Sequence, residues 1–143
     1  MDHITNSPEE TENLAKKFLS ENLPGGEQSP SAFLIGLVGD LGSGKTAFVK
    51  GLASFLGVER NITSPTFVVQ KIYSGDDCQL VHIDAYRLSS KQDLEAIGFE
   101  EFLADGKNIV VVEWPEQVFS EFPENMTIIN FSYVNENSRK ISW

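Results

Sequence analysis

The segment from Gly39 to Thr46 constrains the possible folds of this chain more strongly than any other feature. It reads Gly-Asp-Leu-Gly-Ser-Gly-Lys-Thr and fits the pattern G-x-x-x-x-G-K-[ST]. The apolar run from Ala32 to Val38 predicts a short buried strand before it, and apolar residues at helical spacing predict a helix from about Lys45 to Leu56 after it. Strand, glycine-rich loop and helix, in that order, are the context that a phosphate-binding loop requires.

The residue types of this loop suit the binding of a triphosphate. Its glycines let successive backbone N–H groups point into one concavity, and the following helix adds the positive end of its dipole. Lys45 can reach the β- and γ-phosphates, and Thr46 can offer its hydroxyl to a magnesium ion. We therefore predict that ATP binds here with Mg²⁺. The predicted loop contacts are Gly39, Asp40, Leu41, Gly42, Ser43, Gly44, Lys45, Thr46 and Ala47.

Two further apolar segments each end in an acidic residue. Leu-Val-His-Ile-Asp ends at Asp84, and Ile-Val-Val-Val-Glu ends at Glu113. Ligands of open α/β sheets lie beyond the carboxyl ends of the strands, so both carboxylates are candidates for the nucleotide site. Either acid could bind magnesium, hold a metal-bound water or orient the attacking water. A helix cap or a surface charge is the ordinary alternative for each.

The remaining pattern predicts alternating strands and helices. A capping box with proline at the first helical position, residues 7–10, opens a helix from about Pro8 to Leu23. Further strands are predicted at 67–73, 79–84, 108–113, 126–131 and 139–143, and shorter helices at 89–97 and 99–103. We predict a single domain over residues 1–143. Its fold class is α/β, a three-layer sandwich like that of P-loop NTPases, with a mixed, partly parallel sheet and antiparallel pairing at one side.

The charge balance limits the partners of the chain. Its 11 basic and 21 acidic residues give a formal net charge of −10. A surface that grips a polyanion needs clustered Lys and Arg, and adjacent basic residues occur only at Lys16-Lys17 and Arg139-Lys140. We therefore predict no direct, unaided binding of DNA or RNA. An acidic surface can still dock on a basic protein.

Other features favour a protein of the cytoplasm. The single cysteine, Cys78, excludes an internal disulfide and is expected to be a buried or partly buried side chain. The first residues lack a basic cluster followed by an apolar stretch, which argues against a secretory signal. The longest apolar run, Phe33 to Val38, is too short to span a bilayer, so no membrane association is predicted.

Several residues outside the loop are candidates for regulation. In Ser64-Pro65-Thr66 a hydroxyl such as that of Thr66 could sense the γ-phosphate, although a rigid proline turn is the alternative. Arg87 is one of only three arginines, so a charge-neutralising arginine could come from a partner. His82 lies inside a strand pattern and is expected to be packed rather than to act as a base. Trp114 is expected to lie in the core or to anchor a partner.

Four classes of nucleotide-binding protein could contain such a loop, and the rest of the sequence favours two of them. A small-molecule kinase usually adds an acceptor pocket and an arginine-bearing lid, for which this chain has little spare length. A GTPase is disfavoured because the guanine-reading element N-K-x-D is absent. A non-catalytic module whose nucleotide state gates a complex, and a slow ATPase inside a larger assembly, both fit the small size and the acidic composition.

Four segments, taken together, match a known family. They are Gly-Asp-Leu-Gly-Ser-Gly-Lys-Thr at 39–46, Ser-Pro-Thr-Phe at 64–67, His-Ile-Asp-Ala-Tyr-Arg-Leu at 82–88 and Val-Glu-Trp-Pro-Glu at 112–116. In their order and spacing they resemble the TsaE (YjeE) family of bacterial ATPases, which are required to form threonylcarbamoyladenosine in tRNA. The Glu-Trp pair and the His-x-Asp-x-Tyr-Arg-Leu segment are much more specific than the loop alone.

The resemblance implies a role for each matching residue. It implies that Lys45 and the loop backbone hold the phosphates, that Thr46 and Glu113 lie on the magnesium ion, and that Trp114 acts in activity or assembly. It places Thr66 and Asp84 in switch-like segments. The residues that it implies beside the adenine are Pro8 to Thr11, Ser138 and Arg139.

The resemblance also implies partners and a reaction. The partners are TsaB and TsaD, of which TsaD transfers the threonylcarbamoyl group to the adenosine beside the anticodon. The chain is expected to hydrolyse ATP slowly and to reset that complex. In this reaction Lys45 offsets the developing charge, and Asp84 or Glu113 aligns the water that attacks in line.

Overall fold

Seven strands and four α-helices occupy the described residues, 1–23, 30–63 and 68–143 of a computed structural model. The strands are β1 (Asp2–Thr5), β2 (Phe33–Val38), β3 (Gln70–Ser74), β4 (Gln79–Asp84), β5 (Asn108–Glu113), β6 (Met126–Tyr133) and β7 (Arg139–Ser142). The helices are α1 (Pro8–Asn22), α2 (Lys45–Phe55), α3 (Lys91–Ala96) and α4 (Phe99–Leu103), and a short 3-10 helix covers Pro115–Gln117. All seven strands belong to one sheet with the spatial order β1-β7-β6-β2-β5-β4-β3.

The direction of the strands brings several segments to one end of the sheet. The central strands β6, β2, β5 and β4 are parallel to one another. At one edge β3 is antiparallel to β4, and at the other edge β7 is antiparallel to β6 and β1 is antiparallel to β7. Because β1 therefore runs in the direction of the central strands, its last residue Thr5 and the first residue of β7, Arg139, lie where the parallel strands end.

Helices cover both faces of the sheet, which confirms the predicted three-layer α/β sandwich. On one face α1 and α2 pack against each other over a core that includes Phe18, Phe48 and Leu52. Gly51 permits this contact, since a Cβ there would lie 2.2 Å from the carbonyl oxygen of Glu12. On the other face α3 and α4 cover a second apolar cluster that includes Leu94 and Phe99.

The edges of the sheet differ from the prediction. Antiparallel pairing was expected at one side, and it occurs at both. The additional strand β1, which sequence patterns do not predict, has only four residues and pairs Asp2 with Ser142 and Thr5 with Arg139. A strand this short shows little periodicity of its own, and its partner is at the opposite end of the chain.

The predicted strand at 67–73 begins later than its apolar residues indicate. Residues 64–67 lie outside the described residues, and Val68 and Val69 precede the strand that starts at Gln70. Val69 has a φ of 68°, which a β-branched residue rarely adopts and which cannot continue a strand. Its carbonyl oxygen instead accepts a hydrogen bond from the backbone N–H of Asp84 at 2.7 Å. The β-branched composition predicted strand here, and this tertiary contact overrides it.

Most other elements agree with the prediction to within a few residues. Ser7 caps α1 as predicted, with its hydroxyl accepting from the backbone N–H of Glu10 at 3.1 Å, while the Glu10 carboxylate accepts from the backbone N–H of Asn6 at 2.6 Å. The strand β5 has the predicted bounds, and β3 and β4 form the predicted hairpin. Cys78 is partly buried, as expected. In the part of the chain that the structure describes, no helix is long and apolar enough to cross a membrane.

Candidate nucleotide site

The glycine-rich segment forms a loop between β2 and α2, as its sequence predicts. Gly42 and Gly44 have φ values of 76° and 104°, a conformation that side chains other than glycine rarely adopt. The loop leads directly into the first turn of α2, whose backbone N–H groups lack acceptors within the helix. Lys45, Thr46 and Ala47 of this turn line a pocket. Unpaired N–H groups and the helix dipole make this end of α2 suitable for an anion.

Lys45 is held inside the site by two contacts of its ammonium group. Its Nζ donates to the carbonyl oxygen of Gly39 at 2.6 Å and lies 4.0 Å from the centroid of the Trp114 ring. Burial lowers the pKa of Lys45 below its ordinary value of 10.5, and the carboxylates of Glu113 and Asp84 oppose this shift. A neutral carbonyl and a ring face attract a cation less strongly than phosphate oxygens do, so a triphosphate can replace both contacts.

Glu113 is a buried carboxylate oriented by a histidine. Its Oε2 lies 2.6 Å from Nε2 of His82, and the two residues are 4% and 0% exposed. This bond uses one carboxylate oxygen, while Glu113 also lines the pocket. The expectation that His82 is packed is therefore confirmed. Its contact with Glu113 is a feature that the strand pattern alone does not reveal.

Asp84 lies next to Glu113 at the carboxyl ends of two parallel strands. The register of β4 and β5 places Asp84 opposite Glu113, and both residues line the pocket. Asp84 is only 6% exposed, and its Oδ1 accepts a hydrogen bond from the backbone N–H of Tyr86 at 2.9 Å. The two predicted acids are thus adjacent and are positioned by the sheet itself.

The pocket has a volume of about 480 Å³ and two different walls. One wall consists of the glycine-rich loop, the start of α2, the two acids and Trp114. The other wall combines the chain from Thr5 to Pro8 and Thr11 of α1 with residues of the turn before β7. The first wall carries Lys45 and the two acids, which suit phosphates and a cation. The second wall is formed mainly by uncharged side chains, with Glu136 and Arg139 as its charged members.

Hydrogen bonds join the parts of this second wall. The Ser138 hydroxyl donates to Oδ1 of Asn6 at 2.7 Å, and the hydroxyls of Thr5 and Thr11 are 2.8 Å apart. Ser138, Thr5 and Thr11 are all buried. The first and last strands of the sheet therefore build this wall together.

The structure brings most of the predicted nucleotide contacts into this pocket. Those that line it are Pro8, Thr11, Leu41, Gly42, Gly44, Lys45, Thr46, Ala47 and Arg139. Gly39 and Asp40 are in the loop outside the pocket lining, where their carbonyl oxygens accept from Lys45 Nζ and from the backbone N–H of Ser43.

Four other predicted residues lie elsewhere. Ser43 is buried but is not part of the pocket lining, and Ser138 acts on the pocket through Asn6. Arg87 is exposed in the loop after β4 and does not line the pocket. Thr66, with the segment 64–66, lies outside the described residues.

Trp114 has an unusual backbone conformation that directs its ring into the site. Its φ and ψ are 59° and 47°, a left-handed conformation that is uncommon for a residue other than glycine. Its ring is half-buried, lies against Lys45 and packs 5.1 Å from the ring of Tyr86. Strained conformations of this kind cluster at functional sites. Trp114 thus packs against the core and also lines the pocket, and its role as an anchor for a partner stays a prediction.

We expect nucleotide phosphates to change the fluorescence of Trp114 by drawing the Lys45 ammonium away from its ring. In a Trp143→Phe background Trp114 is the only remaining tryptophan. Titration with MgATP should then give a saturable change in emission, whereas adenosine, which lacks phosphates, should give none. Binding of MgATP, detected by calorimetry, without any change in emission would show that Lys45 stays against the ring.

Sequence patterns did not identify the pocket residues contributed by β1 and the turn before β7. These residues include Thr5, Asn6, Glu136 and Asn137. They carry no motif, and only the pairing of the first strand with the last brings them together. The one local signal was the capping box at residues 7–10, which marks the start of α1 beside the pocket.

The sheet order, the two helical layers and the loop at Gly39 to Thr46 define a P-loop fold. A structural comparison agrees with this class: the crystal structure of Bacillus subtilis YdiB superposes with a TM-score of 0.71 at 29% identity, covering 99% of this chain and 82% of that one.

The chain belongs to the TsaE family. The family model described as threonylcarbamoyl adenosine biosynthesis protein TsaE matches residues 5–141. A relative in Treponema pallidum, named tRNA threonylcarbamoyladenosine biosynthesis protein TsaE, is 43% identical over 106 residues, which are 74% of this chain and 77% of the relative. A protein of the same name in Rickettsia typhi is 35% identical over 141 residues, 98% of this chain and 92% of the relative.

Proposed function

We propose that the chain is a magnesium-dependent ATPase that serves the formation of threonylcarbamoyladenosine in tRNA. The observation that carries the proposal is that Lys45, Asp84 and Glu113 meet in one pocket at the start of α2. Family membership supports the biosynthetic role. The pocket volume of about 480 Å³ suits a single small ligand, within the range of about 300–1,000 Å³ that is typical of such sites.

The side chains beside the loop fit a magnesium ion that is shared with phosphates. Thr46 offers a hydroxyl, and Glu113 and Asp84 offer carboxylates, which are the oxygen ligands that Mg²⁺ prefers. No group of three or more His, Cys, Asp or Glu side chains in the described ranges could hold a metal without other ligands. When bound, Mg²⁺ would neutralise charge on the phosphate oxygens.

The proposed mechanism assigns a task to each group of the chain. The loop backbone and the first turn of α2 bind the phosphates, and Lys45 exchanges its contacts with Gly39 and Trp114 for phosphate oxygens. Asp84 or Glu113 orients the attacking water, and His82 keeps the Glu113 carboxylate in place. The alignment of these groups supplies the electrostatic stabilisation on which phosphoryl transfer depends.

We propose that the chain performs this reaction in the cytoplasm with TsaB and TsaD, and that it contacts tRNA only through them. The net charge of −10 supports an indirect contact, because a polyanion is repelled by an acidic surface. The exposed acidic residues of the chain could instead face basic surfaces of the partner proteins.

The role is tested by complementation in a bacterial strain depleted of its own TsaE protein. Threonylcarbamoyladenosine in total tRNA is measured by nucleoside analysis after expression of the parent chain, of Lys45→Ala or of Lys140→Ala. The parent and Lys140→Ala, which changes an exposed residue of β7, should restore the modified nucleoside. Lys45→Ala should not. If Lys45→Ala restored the modified nucleoside to the parental level, tRNA modification would not depend on the proposed nucleotide chemistry, which would contradict the proposal.

A further inference from the structure

Arg139 connects the last strand of the sheet to the apex of the glycine-rich loop. Its Nε donates to the carbonyl oxygen of Gly42 at 3.0 Å, across 97 positions of sequence. The connection is possible because β7 starts at the end of the sheet where β2 passes into the loop.

The guanidinium of Arg139 is itself held in a fixed position. Its Nη1 donates to the carbonyl oxygens of Asn135 at 2.7 Å and of Ser138 at 2.9 Å, and its Cζ lies 4.8 Å from the centroid of the Tyr133 ring. All three contacts come from the end of β6 and the turn that follows it. The planar, multiply bonded guanidinium can therefore act as a rigid link to Gly42, since little further side-chain entropy is lost in making that bond.

Among the residues that the structure describes, few others support the apex of the loop. Leu41 is 79% exposed, and a Cβ built on Gly42 would meet nothing within 4 Å. The bonds from Ser43 N–H to Asp40 and from Lys45 Nζ to Gly39 connect the loop only to itself and to the first turn of α2. The Lys45 bond must also break when Lys45 reaches a phosphate. The Arg139 bond instead ties the loop to the sheet, and it can persist when a ligand binds.

We infer that Arg139 is a positioning residue that holds the glycine-rich loop in the shape that binds phosphates. This inference rests on the proposed nucleotide site and adds a specific residue to it. Two simpler roles give different results when tested. If Arg139 contacted the base, its loss would weaken the binding of ATP but not of inorganic tripolyphosphate. If Arg139 acted only through its positive charge, Arg139→Lys would keep the parental affinity for both.

The first experiment is hydrogen exchange of the backbone amides at 41–46 in the nucleotide-free chain, which needs no ATPase activity. We compare the parent with Arg139→Ala, Arg139→Lys and the control Lys140→Ala, whose side chain pairs with Asp2 on the sheet edge. Both Arg139 variants should exchange about tenfold faster at these amides, because loss of a charge-assisted bond makes opening of the loop easier. Amides of β5 and the control variant should be unchanged. Parent-like exchange in Arg139→Ala would overturn the inference.

The second experiment measures the binding of MgATP and of magnesium tripolyphosphate by calorimetry. Arg139→Ala and Arg139→Lys should each weaken both ligands by about tenfold and by the same factor, since the loop recognises phosphates in both. If Arg139→Ala weakened the binding of ATP alone, Arg139 would contact the base. If Arg139→Lys bound both ligands as tightly as the parent, only the positive charge of Arg139 would matter. Either result would overturn the inference. If the parent itself binds neither ligand, the proposed function fails, while hydrogen exchange still tests the contact of Arg139 with the loop.

Discussion

Replacing Lys45 with methionine is expected to abolish ATP hydrolysis while leaving the protein folded and more stable at pH 7. The loss of turnover should be at least about a thousandfold, because preorganised charge dominates phosphoryl transfer. Among the described residues that line the pocket, the only other cation is Arg139, which lies on the opposite wall and is bonded to the carbonyl oxygen of Gly42. Turnover is measured by phosphate release, and stability by urea denaturation. Lys50→Met, which removes an exposed lysine from the same helix, is the matched control.

The stability effect follows from the lowered pKa of Lys45. Burial makes the charged ammonium less favourable in the folded chain than in the unfolded chain, and methionine removes that cost. Between the lowered pKa of Lys45 in the folded chain and its ordinary value of 10.5, this group binds more protons in the unfolded state than in the folded state. The free energy of unfolding of the parent therefore increases with pH across this range. The advantage of Lys45→Met should therefore be full below the folded pKa and should shrink toward pH 10.5. Near-parental turnover in this variant would exclude Lys45 from the chemistry.

Replacing Glu113 with glutamine is expected to remove the magnesium dependence of ATP binding and to lower turnover by about a hundredfold. The amide preserves the size of the side chain and can still bond to His82, so the change is mainly the loss of one negative charge. Without Mg²⁺, binding of ATP should be unchanged or slightly tighter, because a carboxylate that repels the triphosphate is gone. Calorimetry with and without Mg²⁺ separates the two effects.

The matched control for this prediction is Glu116→Gln. Glu116 is exposed on the short 3-10 helix after Trp114, and its replacement makes the same change in charge outside the pocket. Its binding of ATP should keep the magnesium dependence of the parent. If Glu113→Gln also retained that dependence in full, Glu113 would not be a ligand of the metal, and Asp84 would take its place in the proposal.

The pocket wall that consists of the glycine-rich loop, the start of α2 and the two acids could be predicted from the sequence because each of its parts is local. The glycine pattern determines the loop and the start of α2, and two apolar strands that end in Asp84 and Glu113 predict acids at the same end of a parallel sheet. The register of β4 and β5 then makes these acids neighbours. For this wall, short-range patterns and one general rule of sheet topology were sufficient.

Sequence patterns did not predict the opposite wall, because it depends on contacts between distant segments. Its residues Pro8, Thr11 and Arg139 were expected only from the family resemblance. The strand β1 becomes a strand only by pairing with β7, and the bond from Arg139 to Gly42 requires the turn before β7 to lie beside the loop. Val69 is a second example of a distant contact that a local pattern does not predict. Its β-branched side chain favours a strand, but it adopts a left-handed conformation in which its carbonyl oxygen accepts from the backbone N–H of Asp84. Patterns within a segment carry no information about such pairings.

The measurement that tests the central claim most directly is the rate of ATP hydrolysis by the purified chain, alone and then with TsaB, TsaD and tRNA from the same source. We expect slow, magnesium-dependent release of phosphate by the chain alone and a clear increase when the partners are added. The increase should be absent in Lys45→Met. Transfer of phosphate to a small-molecule acceptor, with no response to the partners, would contradict this account and indicate a kinase.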